Sequence, residues 1–138
     1  MPHADVQDPD LHLKHLKPSP PASSIVNRCI ECGFCESNCP SRDITLTPRQ
    51  RITTYREISR LRDLDDRTAA QQQRLTDFEQ SYDYDGDATC AADGMCQVKC
   101  PVKINTGELI KQLRSDELEG GDHPRATKAA MVRHFTRF

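Results

Sequence analysis

The sequence predicts an all-α fold in which two cysteine-rich loops are joined by a helical hairpin. Three observations support this: apolar residues recur at helical spacing between the loops, a helix-start signal follows each loop, and no segment alternates apolar and polar residues as a strand does. At 138 residues the chain is one domain, or one domain with tails. Only 36% of its residues are hydrophobic and it has no Trp, so we expect a thin core that bound metal helps to stabilise.

Two helices are predicted between the loops, over residues 47–64 and about 67–82. The first begins at a capping box, in which Thr47 caps the helix, Pro48 takes the first helical position and Gln50 closes the box. Its apolar residues recur every third position and drift around the helix, which predicts contact with more than one neighbour. They are Ile52, Tyr55, Ile58, Leu61 and Leu64. The second helix carries Leu75, Phe78 and Tyr82 on one face.

The flanking segments complete the predicted organisation. A third helix is expected over residues 107–118, with Asn105 or Thr106 as its cap, and a further helical pattern runs over residues 124–138. Prolines break the segment before Ile25 into an arm or linker. The predicted parts are therefore an arm over 1–24, a cysteine-rich domain over 25–121, and a C-terminal helix over 122–138 that leads toward a following domain.

The charge distribution and the absence of a predicted transmembrane segment exclude some classes of protein. A net charge of −2 and a pI near 6.2 give no basic footprint for nucleic acid. Arginines are dense in the first half of the hairpin and acidic residues follow it, and solvated helix faces explain both runs more simply than a docking patch. The basic run contains Arg49, Arg51, Arg56, Arg60, Arg62, Arg67 and Arg74, and the acidic run Asp77, Glu79, Asp83, Asp85 and Asp87. We expect no transmembrane segment, and a location in the cytoplasm or at the inner face of a membrane.

All seven cysteines fall in two runs that superpose when Cys29 is aligned with Cys90. The first run is Cys29, Cys32, Cys35 and Cys39, followed by Pro40; the second is Cys90, Asp93, Cys96 and Cys100, followed by Pro101. Cysteines at every third residue, then a Cys-Pro four residues on, are the bacterial ferredoxin pattern for a 4Fe–4S cluster. Structural zinc is the alternative, but zinc sites pair two C-x2-C units and do not explain a third cysteine or the Cys-Pro.

The pattern also predicts which cysteines act together. In two-cluster ferredoxins, the fourth cysteine of each run ligates the other cluster. The first cluster would then take Cys29, Cys32, Cys35 and Cys100, and the second would take Cys90, Cys96 and Cys39. Gly33 and Gly94 would let the backbone approach the clusters closely. Apolar cover, or ordinary core, is expected from Ile30, Phe34, Met95 and Val98.

Asp93 stands where the second run lacks a cysteine. Its carboxylate can ligate the fourth iron of a 4Fe–4S cluster, but this harder ligand would hold that iron less firmly and a 3Fe–4S cluster could result. Alternatively, Asp93 caps the short helical turn that carries Cys96. Both interpretations stay open at the level of the sequence.

Several segments resemble the iron–sulfur region of bacterial FAD-linked oxidases of the D-lactate or D-2-hydroxyacid dehydrogenase type. They are residues 29–36, 39–51, 89–96 and 100–109, together with the arm at residues 10–18. The resemblance covers about residues 8–120. It implies an α-helical ferredoxin-like domain with two clusters, whose seven cysteine ligands map onto the seven cysteines above.

The resemblance also implies partners. In such proteins an FAD dehydrogenase domain oxidises a 2-hydroxyacid such as D-lactate, electrons pass to a quinone or other acceptor, and a cysteine-rich C-terminal domain often follows. No flavin-binding stretch is recognisable in this sequence, so FAD is expected only in a parent domain and the chain should not be catalytic alone. The alternatives are a metal-folded structural or partner-docking module, and a cluster whose iron at Asp93 binds substrate.

Overall fold

The computed structural model describes residues 20–120, and within this range the chain is all-helical and contains no strand. Its helices are α1 (Pro48–Arg62), α2 (Ala69–Ser81), α3 (Met95–Lys99) and α4 (Thr106–Gly120), with a 3-10 turn at Glu36–Asn38 and a π-helical segment at Tyr82–Ala88. The predicted all-α fold is confirmed. No helix in the described range is long and apolar enough to cross a membrane. Most of the predicted arm, and the predicted C-terminal helix over 122–138, lie outside the described residues.

Local hydrogen bonds define the ends of the hairpin helices. The predicted capping box is present at α1, where Thr47 Oγ1 accepts from Gln50 N and Gln50 Oε1 accepts from Thr47 N. A second capping box, formed by Thr68 and Gln71, starts α2. Between the helices, Arg67 Nη1 donates to three carbonyls near the end of α1, which have no partner within the helix.

The apolar stripe of α1 contacts two cores, as its drift around the helix predicts. Near the cysteine loops it packs into a loop core, and near α2 it packs into a hairpin core. The loop core contains Val26, Ile52, Cys100, Ile104 and Leu109. The hairpin core contains Ile58, Leu61, Leu75, Tyr82 and Ile110. Tyr55 of α1 packs against both cores, and α4 supplies Leu109 to the loop core and Ile110 to the hairpin core, so these two helices join the cores.

The π-helical segment carries the chain from α2 to the second cysteine loop. Tyr82 at its start is 6% exposed, and its ring lies 6.0 Å from the ring of Tyr55. Burial raises the pKa of the Tyr82 hydroxyl well above its usual range. Asp87 near its end is buried and accepts from Arg114 Nε at 2.7 Å, while Arg114 Nη2 donates to the carbonyl of Cys90. These bonds fix α4 against the approach to the second loop.

The expectation that the charged runs are solvated is wrong for three residues. Arg51, Arg56 and Asp87 are 1%, 3% and 2% exposed. Each is hydrogen-bonded to groups from segments distant in sequence; Arg51 and Arg56, for example, donate to the carbonyls of Gly86 and Val26. A charge pattern read along one helix contains no information about these partners.

Replacing Gly86 with alanine should destabilise the fold. A Cβ at this position would lie 2.5 Å from Tyr82 Cδ2, and the Tyr82 ring is held within the hairpin core. Such overpacking typically costs about 1–3 kcal/mol. The free energy of unfolding, measured by circular dichroism in urea on anaerobically reconstituted protein, should fall by that amount.

Gly120→Ala is the matched control, because a Cβ there meets nothing within 4 Å. Equal unfolding midpoints for both variants would contradict the predicted contact between Gly86 and Tyr82.

Candidate metal centre

The two cysteine loops have the same backbone shape. In the first, Glu31 and Gly33 have φ values of 58° and 83°; in the second, Ala92 and Gly94 have values of 52° and 77°. These positions correspond when Cys29 is aligned with Cys90. Left-handed φ is uncommon for residues other than glycine, so its repetition at Glu31 and Ala92 shows that both loops are wound in the same unusual way. Glu31 N donates to Cys29 Sγ at 3.4 Å, so the backbone conformation of the first loop allows a backbone amide to hydrogen-bond a cysteine sulfur.

The first thiol cavity is lined by Cys29, Cys32 and Cys35 of the first run and by Cys100 of the second. Cys100 is 9% exposed and belongs to the loop core. Apolar residues of α1 and of the segment before α4 also line this cavity, namely Ile52, Val102 and Ile104.

The second thiol cavity is lined by Cys90 and Cys96 of the second run, by Asp93, and by Cys39 of the first run. Each cavity therefore collects side chains from both runs. These are the two groups that the cysteine pattern predicts, brought together by the fold. The role of each side chain as a ligand stays a prediction.

Asp93 has a structural role and also faces the second thiol cavity. Its Oδ1 accepts from Met95 N at 3.1 Å, at the start of the short helix α3 that carries Cys96. The same residue lines the cavity. A carboxylate has two oxygens and several lone pairs, so capping by one oxygen leaves donor capacity for a metal. The two interpretations of Asp93 are therefore compatible.

The first turns of two 15-residue helices lie at the cavities. In α1, Arg49 and Ile52 line the first cavity while Pro48 and Arg51 line the second. Thr106, the first residue of α4, lines both. The Asn105 side chain caps this helix by accepting from Gly107 N at 3.0 Å, one of the two caps that the sequence allowed. Helix N-termini favour negative charge, which suits a group held by thiolates.

The two cavities are neighbours, since Thr106 lines both. Burial raises the pKa of the Cys35 thiol to about 11, and the charges of Cys96, Cys100 and Cys29 add to the rise. Cys96 lines the other cavity, so charge at the second site acts on a thiol of the first. Because the thiolate is the metal-binding form, loading must displace the proton from Cys35.

A carboxylate beside the first cavity is held in its charged form. Hydrogen bonds from the Thr47 hydroxyl and from Arg49 lower the pKa of Glu36, and Arg49 Nε lies 2.9 Å from Glu36 Oε1. The positive charge of Arg49 at the first cavity is therefore compensated.

The arrangement of thiols suits a multi-iron cluster. Among residues 20–120, no three His, Cys, Asp or Glu side chains converge closely enough to hold a single metal ion. The thiols are instead spread around the walls of two cavities, each enclosed by a loop with left-handed turns. A cuboidal iron–sulfur cluster needs its thiolates at separate corners, and this donor set fits that requirement.

Comparison with known families agrees with the geometry. A family model described as the 4Fe-4S dicluster domain matches residues 25–104. The chain belongs to this family. Membership of the 4Fe-4S dicluster family makes iron–sulfur clusters the cofactors of this domain and indicates electron transfer with redox partners. No curated protein and no solved structure matches the chain.

The apolar residues of the cysteine loops are exposed. Ile30, Phe34, Met95 and Val98 are 64%, 65%, 47% and 62% exposed, so the alternative that they are ordinary core is wrong. Ile30 lines the first cavity, as expected of apolar cover, together with apolar residues from other elements of the chain. We refer to the four exposed side chains together as the apolar rim.

Sequence reasoning missed Arg51, Ser41 and Thr106 as site residues. Arg51 appeared there among the arginines expected to be solvated, Ser41 only within a segment of family resemblance, and Thr106 only as a possible helix cap. A signal was available for Thr106, since a helix was expected to begin beside the second loop. Arg51 could be found only from the three-dimensional contacts.

Gly107→Ala should impair the second site selectively. A Cβ at Gly107 would lie 3.0 Å from both Ala92 Cα and Asn105 Oδ1. Ala92 is held in a left-handed conformation and cannot give way without distorting the loop that bears Cys90 and Asp93. We expect loss of iron from the second site, measured as iron per chain and as an EPR signal, while the first site stays loaded.

Gly120→Ala should keep full iron content, because it adds the same methyl group in open space. Full loading of both sites in Gly107→Ala would refute the close approach of α4 to the second loop.

Proposed function

We propose that this chain is a two-cluster relay for single electrons. The observation that carries the proposal is the crossing of the two runs, in which each thiol cavity is lined by side chains of one loop and by the last cysteine of the other. In the proposed ligand sets, Cys29, Cys32, Cys35 and Cys100 hold a first 4Fe–4S cluster. Cys90, Cys96 and Cys39 hold a second, with Asp93 as the fourth donor.

The protein's own contribution is to hold two sites close together and partly dry. When bound, the clusters take up and release single electrons. Ile52, Val102 and Ile104 line the first cavity with apolar surface, and Thr106 lies between both cavities. Neighbouring sites that share a lining residue suit transfer in series.

The proposed donor and acceptor come from the resemblance noted above. The donor is an FAD dehydrogenase domain that oxidises a 2-hydroxyacid such as D-lactate, and the acceptor is a quinone or another carrier. The dicluster domain would span residues 25–121, between an arm over 1–24 and a helix over 122–138 that leads to a cysteine-rich domain. The proposed location is the cytoplasm or the inner face of a membrane. The four exposed side chains of the apolar rim support contact with a protein partner, since docking would remove them from water.

Electron relay can be tested on anaerobically reconstituted protein. We expect about eight irons per chain for two complete 4Fe–4S clusters, reduction of both by photoreduced flavin, and reoxidation by a short-chain quinone. Stopped-flow absorbance and low-temperature EPR would follow both steps. Metal that folds the chain but neither accepts nor donates electrons would favour a structural module and overturn the relay.

The crossing itself is tested by replacing the last cysteine of each run. Cys100→Ser should damage the same site as Cys29→Ser, because both line the first cavity, and Cys39→Ser should damage the site of Cys90. EPR of the remaining cluster in each variant identifies the site that was lost. If Cys100→Ser and Cys90→Ser spared the same cluster, ligation would be uncrossed.

Asp93→Cys tests the fourth donor of the second site. A thiolate at this position should yield a complete all-thiolate cluster with a firmly held fourth iron. Iron content after mild oxidation should therefore rise relative to the wild type, and any 3Fe–4S EPR signal should disappear. Asp93→Asn is the control, because its amide oxygen can still cap α3 but is a weaker ligand. Identical spectra for all three proteins would remove Asp93 from the ligand set.

A further inference from the structure

Two arginines of α1 are buried, and the structure compensates their charges differently. Arg51 is 1% exposed and Arg56 is 3% exposed. A buried cation is costly unless hydrogen bonds and an opposite charge compensate it. Arg56 has both, because Nη1 lies 2.7 Å from Glu31 Oε1 and Nη2 donates to three carbonyls at the start of the first loop. Arg56 is therefore a paired residue that holds the first loop.

Arg51 lies at the second thiol cavity, and its hydrogen bonds go to uncharged groups. Nη2 donates to Ser41 Oγ at 2.9 Å and to Thr89 Oγ1 at 3.1 Å, while Nε donates to the Gly86 carbonyl. Nη1 lies 3.6 Å from Cys39 Sγ, a hydrogen-bonding distance for sulfur. None of these four acceptors is a carboxylate. The positively charged guanidinium group of Arg51 therefore hydrogen-bonds directly to a sulfur that lines the second cavity.

Ser41 adds a second donor to the same sulfur. Its Oγ lies 3.2 Å from Cys39 Sγ. Because this oxygen already accepts from Arg51, its own hydrogen is available for the sulfur. Cys39 therefore receives a hydroxyl and a guanidinium, both held in place by burial.

The first cavity has no equivalent of this pair. The alignment of the two runs relates Cys39 to Cys100, Ser41 to Val102 and Arg51 to Gln112. Val102 lines the first cavity but has no side-chain donor. The two sites, alike in their loop backbone, therefore differ in the groups around the cysteine that crosses over.

The charged residues of the first cavity also come as pairs. Its two ionisable side chains other than thiols are Glu31 and Arg49. Glu31 is paired with Arg56, and Arg49 is paired with Glu36. Each cavity is therefore lined by one cation and one carboxylate, the pair at the second being Arg51 and Asp93. At the first site both are held in ion pairs, whereas at the second Asp93 accepts from Met95 N and the Arg51 guanidinium hydrogen-bonds the sulfur of Cys39.

We propose that Arg51, assisted by Ser41, raises the reduction potential of the second site and so favours transfer of an electron from the first site to the second. The inference rests on the proposed function. Reduction adds one negative charge to a buried centre, and a nearby cation with hydrogen bonds to sulfur stabilises the reduced form more than the oxidised form. One electron is lost at the first site and one is gained at the second, with no bond formed or broken and no proton required. Arg51 is a positioning residue in this scheme.

The test is an EPR-monitored redox titration of the reconstituted chain, with iron content as the measure of loading. Arg51→Gln removes the charge, and it should lower the potential of the second site while the first stays unchanged. We expect the equilibrium constant for transfer from the first to the second site to fall about tenfold, equivalent to about 59 mV for one electron. Arg51→Lys should retain most of the wild-type value, and Ser41→Ala should give a smaller decrease in the same direction.

Arg60→Gln is the matched control, since it removes an arginine of the same helix that is paired with Glu57 and lines neither cavity, and it should leave both potentials unchanged. Asp93 is present in every variant, so its carboxylate contributes equally to each second-site potential and does not affect the differences between variants. Equal shifts in Arg51→Gln and Arg51→Lys would mean that packing, and not charge, is responsible, and would overturn the proposal. So would a fully loaded Arg51→Gln with unchanged potentials.

Two further outcomes separate this inference from the proposed function. If Arg51→Gln does not load its second site, Arg51→Lys and Ser41→Ala carry the test: an unchanged potential in Ser41→Ala together with a lowered one in Arg51→Lys contradicts the scheme. If the wild type holds no pair of redox-active clusters, the proposed relay itself fails. If it holds both clusters and their potentials do not depend on Arg51, only the tuning role fails.

Discussion

The crossing of the chain between its two cysteine runs is the constraint on which the rest of the structure depends. Neither loop completes a cavity alone, since the first cavity includes Cys100 and the second includes Cys39. The segment between the runs must therefore return the chain to its starting point, and the α1–α2 hairpin with the π-helical segment does this. In a chain with so few apolar residues, metal bound at both crossings would add to the stability of the small core.

Three arginine side chains hold this crossing in place. Arg56 fastens the first loop through its carbonyls, Arg114 fastens the entry to the second loop through Asp87 and the Cys90 carbonyl, and Arg51 reaches Cys39. Guanidinium groups suit this task because their donors are numerous and fixed in one plane, so one side chain binds several acceptors. Some arginines of α1 are therefore hydrogen-bonded to the cysteine loops, while others lie at the surface.

The two sites share one backbone design and differ in their side chains. Left-handed φ values occur at corresponding positions, at Glu31 and Ala92 and again at Gly33 and Gly94, so the two loops have similar backbone shapes. Around them, the first site is apolar with paired charges, while the second has Asp93 and Arg51. Two loops of the same shape thus have different electrostatic surroundings, which is what the proposed relay with a preferred direction requires.

The ferredoxin pattern predicts the crossed grouping of the cysteines, and the hairpin brings the two runs together. Sequence spacing by itself determined the helical class, the capping box at Thr47 and the apolar stripe of α1. These features follow from local geometry, because helical periodicity and the reach of a short loop are set within a few residues. Only the tertiary structure decided the burial of Arg51 and Arg56 and the exposure of Phe34 and Val98. Burial depends on which distant segments pack against a side chain, and a pattern along one helix or loop does not contain that information.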